Sequence, residues 1–95
     1  MEAELLLRER YDLSETEFVE MIVWRVDPPV RASSHPFKYR LAFISNGACV
    51  VRYDNEAGKG DHKHTDSHER PYQFVSVRRL LRDFWDDVVS WQEKH

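Results

Sequence analysis

Residues 37–54 read FKYRLAFISNGACVVRYD. Two strand-like runs flank Asn46-Gly47. Phe37, Tyr39, Leu41 and Phe43 alternate with Lys38 and Arg40, the period-two pattern of a strand with one face in a core and one in water. Asn-Gly between such runs is the strongest short hairpin signal, because a type I′ turn needs positive φ at both central residues. A two-residue turn pairs Ser45 with Ala48. A regular ladder from there sets Arg40 opposite Tyr53 and Lys38 opposite Asn55, all four on the wet face. It also sets Arg52 opposite Leu41 on the apolar face. Only a bulge, a register slip or a place at the sheet rim brings Arg52 to water.

Outward from this hairpin, AELLLRERY (3–11) and EFVEMIVWRV (17–26) read as strands joined by the polar DLSET. In the second, Phe18, Ile22, Trp24 and Val26 share one face and Val19, Met21 and Val23 the other. DPPVRASSHP (27–36) reads as a loop, because adjacent prolines remove donors and fix the backbone. His35-Pro36 is read as part of that loop. Residues 54–70 read as a polar loop with Gly58 and Gly60, longer than an ordinary connection. PYQFV (71–75) reads as a short edge strand with Tyr72 and Phe74 inward. Ser76 then caps a helix to about Gln92, with Val77, Leu80, Leu81, Phe84, Val88 and Trp91 at helical spacing. Arg78, Arg79, Asp83, Asp86 and Asp87 fall on its outer side. The expected architecture is a single α+β domain over 1–95: an antiparallel four- to five-stranded meander with one C-terminal α-helix packed on one face.

A chain of 95 residues suits one two-layer core, since folding at this size buries roughly 60–65% of the unfolded surface. With 14 Lys plus Arg against 17 Asp plus Glu, the net charge of −3 argues against a passive nucleic-acid coat. It leaves room for a local basic site. The single cysteine, Cys49, rules out an internal disulfide and reads as a small buried hydrophobe. No run reaches membrane-spanning length and no signal-peptide pattern opens the chain, so the expectation is a cytoplasmic protein with no membrane partner.

The stretch RYDNEAGKGDHKH (52–64) concentrates proton donors, acceptors and cations. His62, His64 and His68 with Asp54, Asp61 and Asp66 suggest a metal site, but a polar loop without a cysteine suits solvated histidines better, and no metal or other cofactor is assigned. The glycines do not make a nucleotide-binding loop: the G-x-x-x-x-G-K-[S/T] spacing is absent. A metal-free phosphodiester-cleaving site fits the chemistry more closely. Histidines 62 and 64 supply a general base and acid near neutral pH. Lys38, Arg40 and Lys59 supply cations for phosphate, with Arg52 if it reaches water. Tyr53 could donate to the phosphate or stack on a base. A wet sheet face with cross-strand Arg–Tyr packing, beside a solvated loop, accounts for the same residues without any function. Trp85, one position off the helix stripe, suits either the edge of the core or a partner interface.

The run FKYRLAFISNGACVVRYDNEAGKGDHKH, followed by ERPYQFVSVRRLLRDFWDDV, resembles the TumE family of small bacterial toxins. The features that carry the resemblance are KYRL, RYDN, GKGDHKH, PYQF and LLRDFWDDV, with AELLL and EMIVWRV near the start. It implies a growth-inhibiting toxin of a type II toxin–antitoxin pair, neutralised by a cognate helix-turn-helix antitoxin. By analogy with other toxins of this size, it implies an endoribonuclease acting on RNA. The motif positions fall on Lys38, Arg40, Arg52, Tyr53, Asp54, Asn55, Lys59, Gly60, His62 and His64. The chain departs from the better-known compact ribonuclease toxins in being acidic and beginning with strands.

The resulting expectation is metal-independent acid–base cleavage by His62, His64, Tyr53, Arg40 and Lys59. Lys38, Arg52, Asp54, Asn55 and Gly60 would bind substrate, with Asp54 setting a histidine tautomer or an arginine rotamer and Asn55 holding the loop turn. The alternatives are a non-catalytic binding module and a metal-dependent nuclease using His62, His64 and Asp54 or Asp61. Exposed edge strands permit a homodimer.

Overall fold

The computed structural model describes residues 2–95. The described chain forms β1 (Glu2–Asp12), β2 (Glu17–Asp27), β3 (Phe37–Ser45), β4 (Ala48–Asp54), β5 (His62–Thr65), β6 (His68–Pro71) and α1 (Val77–Lys94). The strands form one antiparallel sheet in chain order, with β1 and β6 at its edges. This is the expected α+β meander with a C-terminal helix, but it has six strands rather than four or five. The two additional strands come from the polar stretch read as a loop. There β5 and β6 turn on Asp66, whose φ of 54° is left-handed, and extend the sheet beyond β4. PYQFV is not a strand: β6 ends at Pro71. Tyr72 and Phe74 nevertheless pack inward on the core.

Asn46 and Gly47 adopt φ of 51° and 80°, and Ser45 pairs with Ala48 as the turn requires. The ladder then slips. Ile44 pairs with Cys49 but Phe43 with Val51, so Val50 is an extra residue in β4. Beyond the bulge Ala42 faces Arg52, Leu41 faces Tyr53 and Arg40 faces Asp54. The regular-ladder pairs Arg40–Tyr53 and Lys38–Asn55 do not form. One residue of slip exchanges the two faces of a strand. Arg52 therefore moves to the face of Arg40, and Tyr53 moves into the core.

The core lies between the sheet and α1. Ser76 caps the helix, its Oγ accepting from the backbone N–H of Arg79 at 3.0 Å. Leu80, Phe84 and Val88 are buried against Val19, Met21 and Val23 of β2, Tyr39, Leu41 and Phe43 of β3, and Val51 and Tyr53 of β4. Phe84 meets Tyr53 edge-on with ring centroids 5.8 Å apart, and Trp91 meets Phe43 at 5.5 Å. Asp83 and Asp87 are not on the outer side of the helix. The Tyr53 hydroxyl donates to the Asp87 carboxylate, which also accepts from Lys63 Nζ at 3.1 Å. The Tyr72 hydroxyl donates to Asp83 at 2.7 Å. These bonds tie the polar margin of α1 to β4, β5 and the segment after β6.

A second polar tie holds the loops at the other end of the sheet. Asn55 is 1% exposed. Its Oδ1 accepts from the backbone N–H of Tyr39 at 3.0 Å, and its Nδ2 donates to the carbonyl of Phe37 at 2.6 Å. The side-chain amide thus continues the β3–β4 ladder where the β4 backbone has left it. Asp61 accepts from the Tyr39 hydroxyl (2.9 Å), Ser33 Oγ (2.8 Å) and His35 Nε2 (2.6 Å). The backbone N–H of Phe37 donates to His35 Nδ1, so the ring proton sits on Nε2 and His35 is neutral here. His35 also stacks on Phe74 with centroids 3.7 Å apart. The proline-containing loop is therefore pinned to the segment between β4 and β5.

Burial first, then hydrogen bonds and nearby carboxylates, hold the hydroxyls of Tyr39, Tyr53 and Tyr72 well above the ordinary value of 10.0. Burial also works against the charge on Asp83, but bonds from Tyr72 and Arg79 outweigh it and hold that carboxyl below its ordinary value. For the tyrosines the raised folded value sets the sign: their contribution is full below pH 10.0 and is lost as pH rises above it, where only the unfolded chain ionises. In an alkaline titration, tyrosinate absorbance from these three residues should appear in one step with loss of the helical circular-dichroism signal. Ionisation of all three in a still-folded protein would contradict these placements. Asn55→Ala orphans two backbone groups and should cost about 2–4 kcal/mol in urea unfolding; a loss under about 0.5 kcal/mol would show that the amide does not hold the ladder.

Candidate functional site

The sheet face away from α1 carries two rows of side chains that run across the strands. One row is Arg8, Ile22, Arg40, Asp54, His62 and Pro71; the other is Arg10, Glu20, Ala42, Arg52, His64 and Glu69. Neighbours within a row stand about 4.8 Å apart at the backbone, and the rows are roughly 7 Å apart. Arg40, Arg52, Asp54, His62 and His64 thus converge on one patch over β3–β5. Lys38 lies one step farther along β3, beside Trp24. The bulge at Val50 brings Arg52 and Asp54 into this set.

Asp54 sits at the centre. Its Oδ1 lies 2.7 Å from His62 Nε2 and its Oδ2 lies 3.3 Å from Arg52 Nε. Glu69 Oε1 lies 3.3 Å from the same His62 nitrogen, and the carbonyl of Gly60 lies 3.1 Å from His62 Nδ1. Both ring nitrogens of His62 therefore face oxygens that only accept. His62 is 7% exposed, whereas His64 is half-buried. The contacts of Asp54 are ion-pair contacts rather than aligned hydrogen bonds. Among the described residues, the buried side-chain polar atoms without an aligned partner are Arg52 Nε, Asp54 Oδ1 and His64 Nδ1, all in this patch. Buried polar atoms are ordinarily satisfied, so their concentration here sets this patch apart from the rest of the described fold.

The remaining residues singled out from the sequence are placed differently. Tyr53 is on the opposite face and fully buried, so it does not reach the patch. Asn55 is enclosed and holds the β3 backbone rather than a loop turn. Lys59 is exposed and pairs with Glu56 at 3.3 Å, at the rim of an open depression of about 410 Å³ that His62 and Glu69 also line. Gly60 has φ of 75°, and a Cβ there would lie 3.2 Å from the carbonyl of Ala32. Its observed part is to let the chain pass that carbonyl while aiming its own at His62. Asp61 is turned away, bonded to Ser33, His35 and Tyr39. Among the described residues, no three His, Cys, Asp or Glu side chains are grouped to hold one metal ion, and no helix is long and apolar enough to cross a membrane.

Three features escaped the sequence reading. Glu69 reaches His62 only because β6 pairs with β5, and HERP has no apolar alternation to announce a strand. Arg8 joins the row of Arg40 because β1 and β2 pair without interruption from Asp12–Phe18 to Leu7–Val23, a register that no two-residue turn announces. His35 is drawn into a buried cluster by Asp61, a partner 26 residues away that its local sequence does not reveal. Arg52 did leave a signal: a guanidinium forced onto an apolar face is costly enough to require a bulge.

A scan against protein families matches residues 2–92 to the family described as toxin TumE. Searches of curated proteins and of solved structures gave no match.

Gly60 and Gly47 both have positive φ, but a Cβ at Gly47 would meet nothing within 4 Å. Gly60→Ala should therefore cost more stability than Gly47→Ala, by about 1 kcal/mol or more, and should speed amide exchange in β5. Equal losses would show that the close approach to Ala32 does not position His62.

Proposed function

Because the chain belongs to the TumE toxin family, we propose that it is the toxin of a type II toxin–antitoxin pair, an endoribonuclease neutralised by a helix-turn-helix antitoxin. The observation that supports this reading most is that His62 and His64 share a sheet face, in adjacent rows, with Arg40 and Arg52. Same-face neighbours on a strand are roughly 7 Å apart, enough for a phosphate hydrogen-bonded between two imidazoles.

In this reading His64, half-buried on the open face, takes the proton of a ribose 2′-hydroxyl. The 2′-oxygen bonds to phosphorus and the bond from phosphorus to the 5′-oxygen breaks. His62, whose ring would have to turn from Asp54, Glu69 and the Gly60 carbonyl to reach substrate, gives a proton to the departing 5′-oxygen. Arg40 and Arg52 meet the charge that develops on the phosphoryl oxygens. Asp54 orients Arg52 and His62, and Lys38 and Lys59 add positive charge at the margins. The products are a 2′,3′-cyclic phosphate and a 5′-hydroxyl. The reaction belongs in the cytoplasm, where RNA and antitoxin meet the toxin.

A second reading, a non-catalytic binding module, draws support from the enclosure of His62 at 7% exposure. Purified protein with RNA separates the two. Cleavage that persists with a chelator and leaves cyclic phosphate ends supports the acid–base reading. His64→Ala and Arg40→Ala should each lower the cleavage rate by about 10²–10⁴-fold and relieve growth inhibition at equal protein levels. Full toxicity in a His62→Ala/His64→Ala double variant would remove the assignment. A stable RNA complex without cleavage would favour the binding module, and activity lost to a chelator and restored by one divalent ion would favour a metal-dependent nuclease.

A further inference from the structure

The face that carries His62 and His64 continues over β1–β3, where a second set of groups has no use within the fold. Leu5, Trp24 and Lys38 form one row across the strands, next to the row of Arg8, Ile22 and Arg40. Trp24 and Ile22 are half-buried, so they form an apolar floor level with the sheet. Arg8, Lys38 and Arg40 stand exposed around it, and none of the three has an ion-pair partner among the described residues. Arg10 differs: it is held by Asp12 and Glu20, both at 3.2 Å, and lies over the Phe18 ring at 3.8 Å. An open depression of about 550 Å³ beside this floor is lined by Arg8, Ile22 and Arg40, with Glu9 and the paired Arg10 and Glu20 on its other side.

Cations around an indole on an open sheet face are complementary to a strand of nucleic acid whose bases are free to stack. Base–aromatic stacking tolerates any sequence, and the cations follow the phosphates. An RNA duplex hides its base faces and offers such a floor only its backbone. We propose that Arg8, Trp24, Lys38 and Arg40 form a nucleotide subsite that binds single-stranded RNA beside the cleavage patch. Arg8, Lys38 and Arg40 hold phosphates, and Trp24 stacks on one base. Trp24 in β2 is three strand spacings and one row from His62 in β5, about 16 Å, so the stacked base belongs to a different nucleotide from the one cleaved. The subsite rests on the reading of RNA as substrate and makes strandedness the main selection.

The test is equilibrium binding of the full chain to a short fluorescein-labelled oligoribonucleotide, 2′-O-methylated to block cleavage, single-stranded or annealed to its complement. Single strands should bind at least about 10-fold tighter than the duplex. Arg8→Ala should weaken binding and reduce the slope of log K against log salt by about 0.7, the loss of one phosphate contact. Trp24→Leu should weaken binding about 10-fold or more while Trp24→Phe retains most of it, with folding followed by circular dichroism. Unchanged affinity and slope in Arg8→Ala and Trp24→Leu would overturn the subsite. So would failure to bind the oligonucleotide while Arg8→Ala and Lys38→Ala weaken capture of an acidic antitoxin, which would assign the face to that protein. Single-strand binding with this mutational pattern but no cleavage of unmodified RNA would leave the subsite standing and remove the nuclease reading. Cleavage of RNA untouched by Arg8→Ala and Trp24→Leu would do the reverse.

Discussion

The extra residue at Val50 is the constraint on which the rest of the molecule depends. A strand has two faces, and one residue of slip exchanges them. Without the bulge, Tyr53 would face water and Arg52 would lie beneath the helix. With it, Tyr53 closes the core against Phe84 and reaches the helix carboxylates. Arg52 and Asp54 come to the open face beside Arg40. The β5–β6 hairpin then pairs on β4 and inherits this register, so His64 falls beside Arg52 and His62 beside Asp54. Core and candidate site are thus set by the same slip.

The two faces treat polar groups differently. On the helix side, among the described residues, each buried side-chain group is satisfied: Tyr53 and Tyr72 donate to carboxylates of α1, and Asp61 collects three donors. Those bonds fix the helix, the proline-containing loop and the segment between β4 and β5 relative to the sheet. On the open face three buried atoms around Asp54 are left without aligned partners. The helix side thus gives a rigid support under the open face. A catalytic site and a tight binding site both require that arrangement.

Much of this was legible in the sequence. The Asn46-Gly47 turn, the alternation in β2 and β3, the Ser76 cap and the helical stripe all carry local signals, and each element formed. The bulge was less legible because Val50 and Val51 are both apolar, so either residue could face the core. Only Arg52 marked the regular ladder as costly. The β5–β6 hairpin has polar residues on both faces at a sheet edge and so lacks the periodicity that identifies strands. His62 and His64 were recognised by their chemistry, but their orientation waited on that pairing. The clusters around Asp61 and Asn55 depend on contacts across the fold, and no local pattern points to them.

The most direct measurement is the cross-strand backbone register of β3 and β4 in solution by nuclear Overhauser effects. The bulged ladder predicts contacts between Ala42 and Arg52 and between Leu41 and Tyr53. Contacts between Leu41 and Arg52, with Arg40 opposite Tyr53, would contradict it and would take Arg52 away from the histidines.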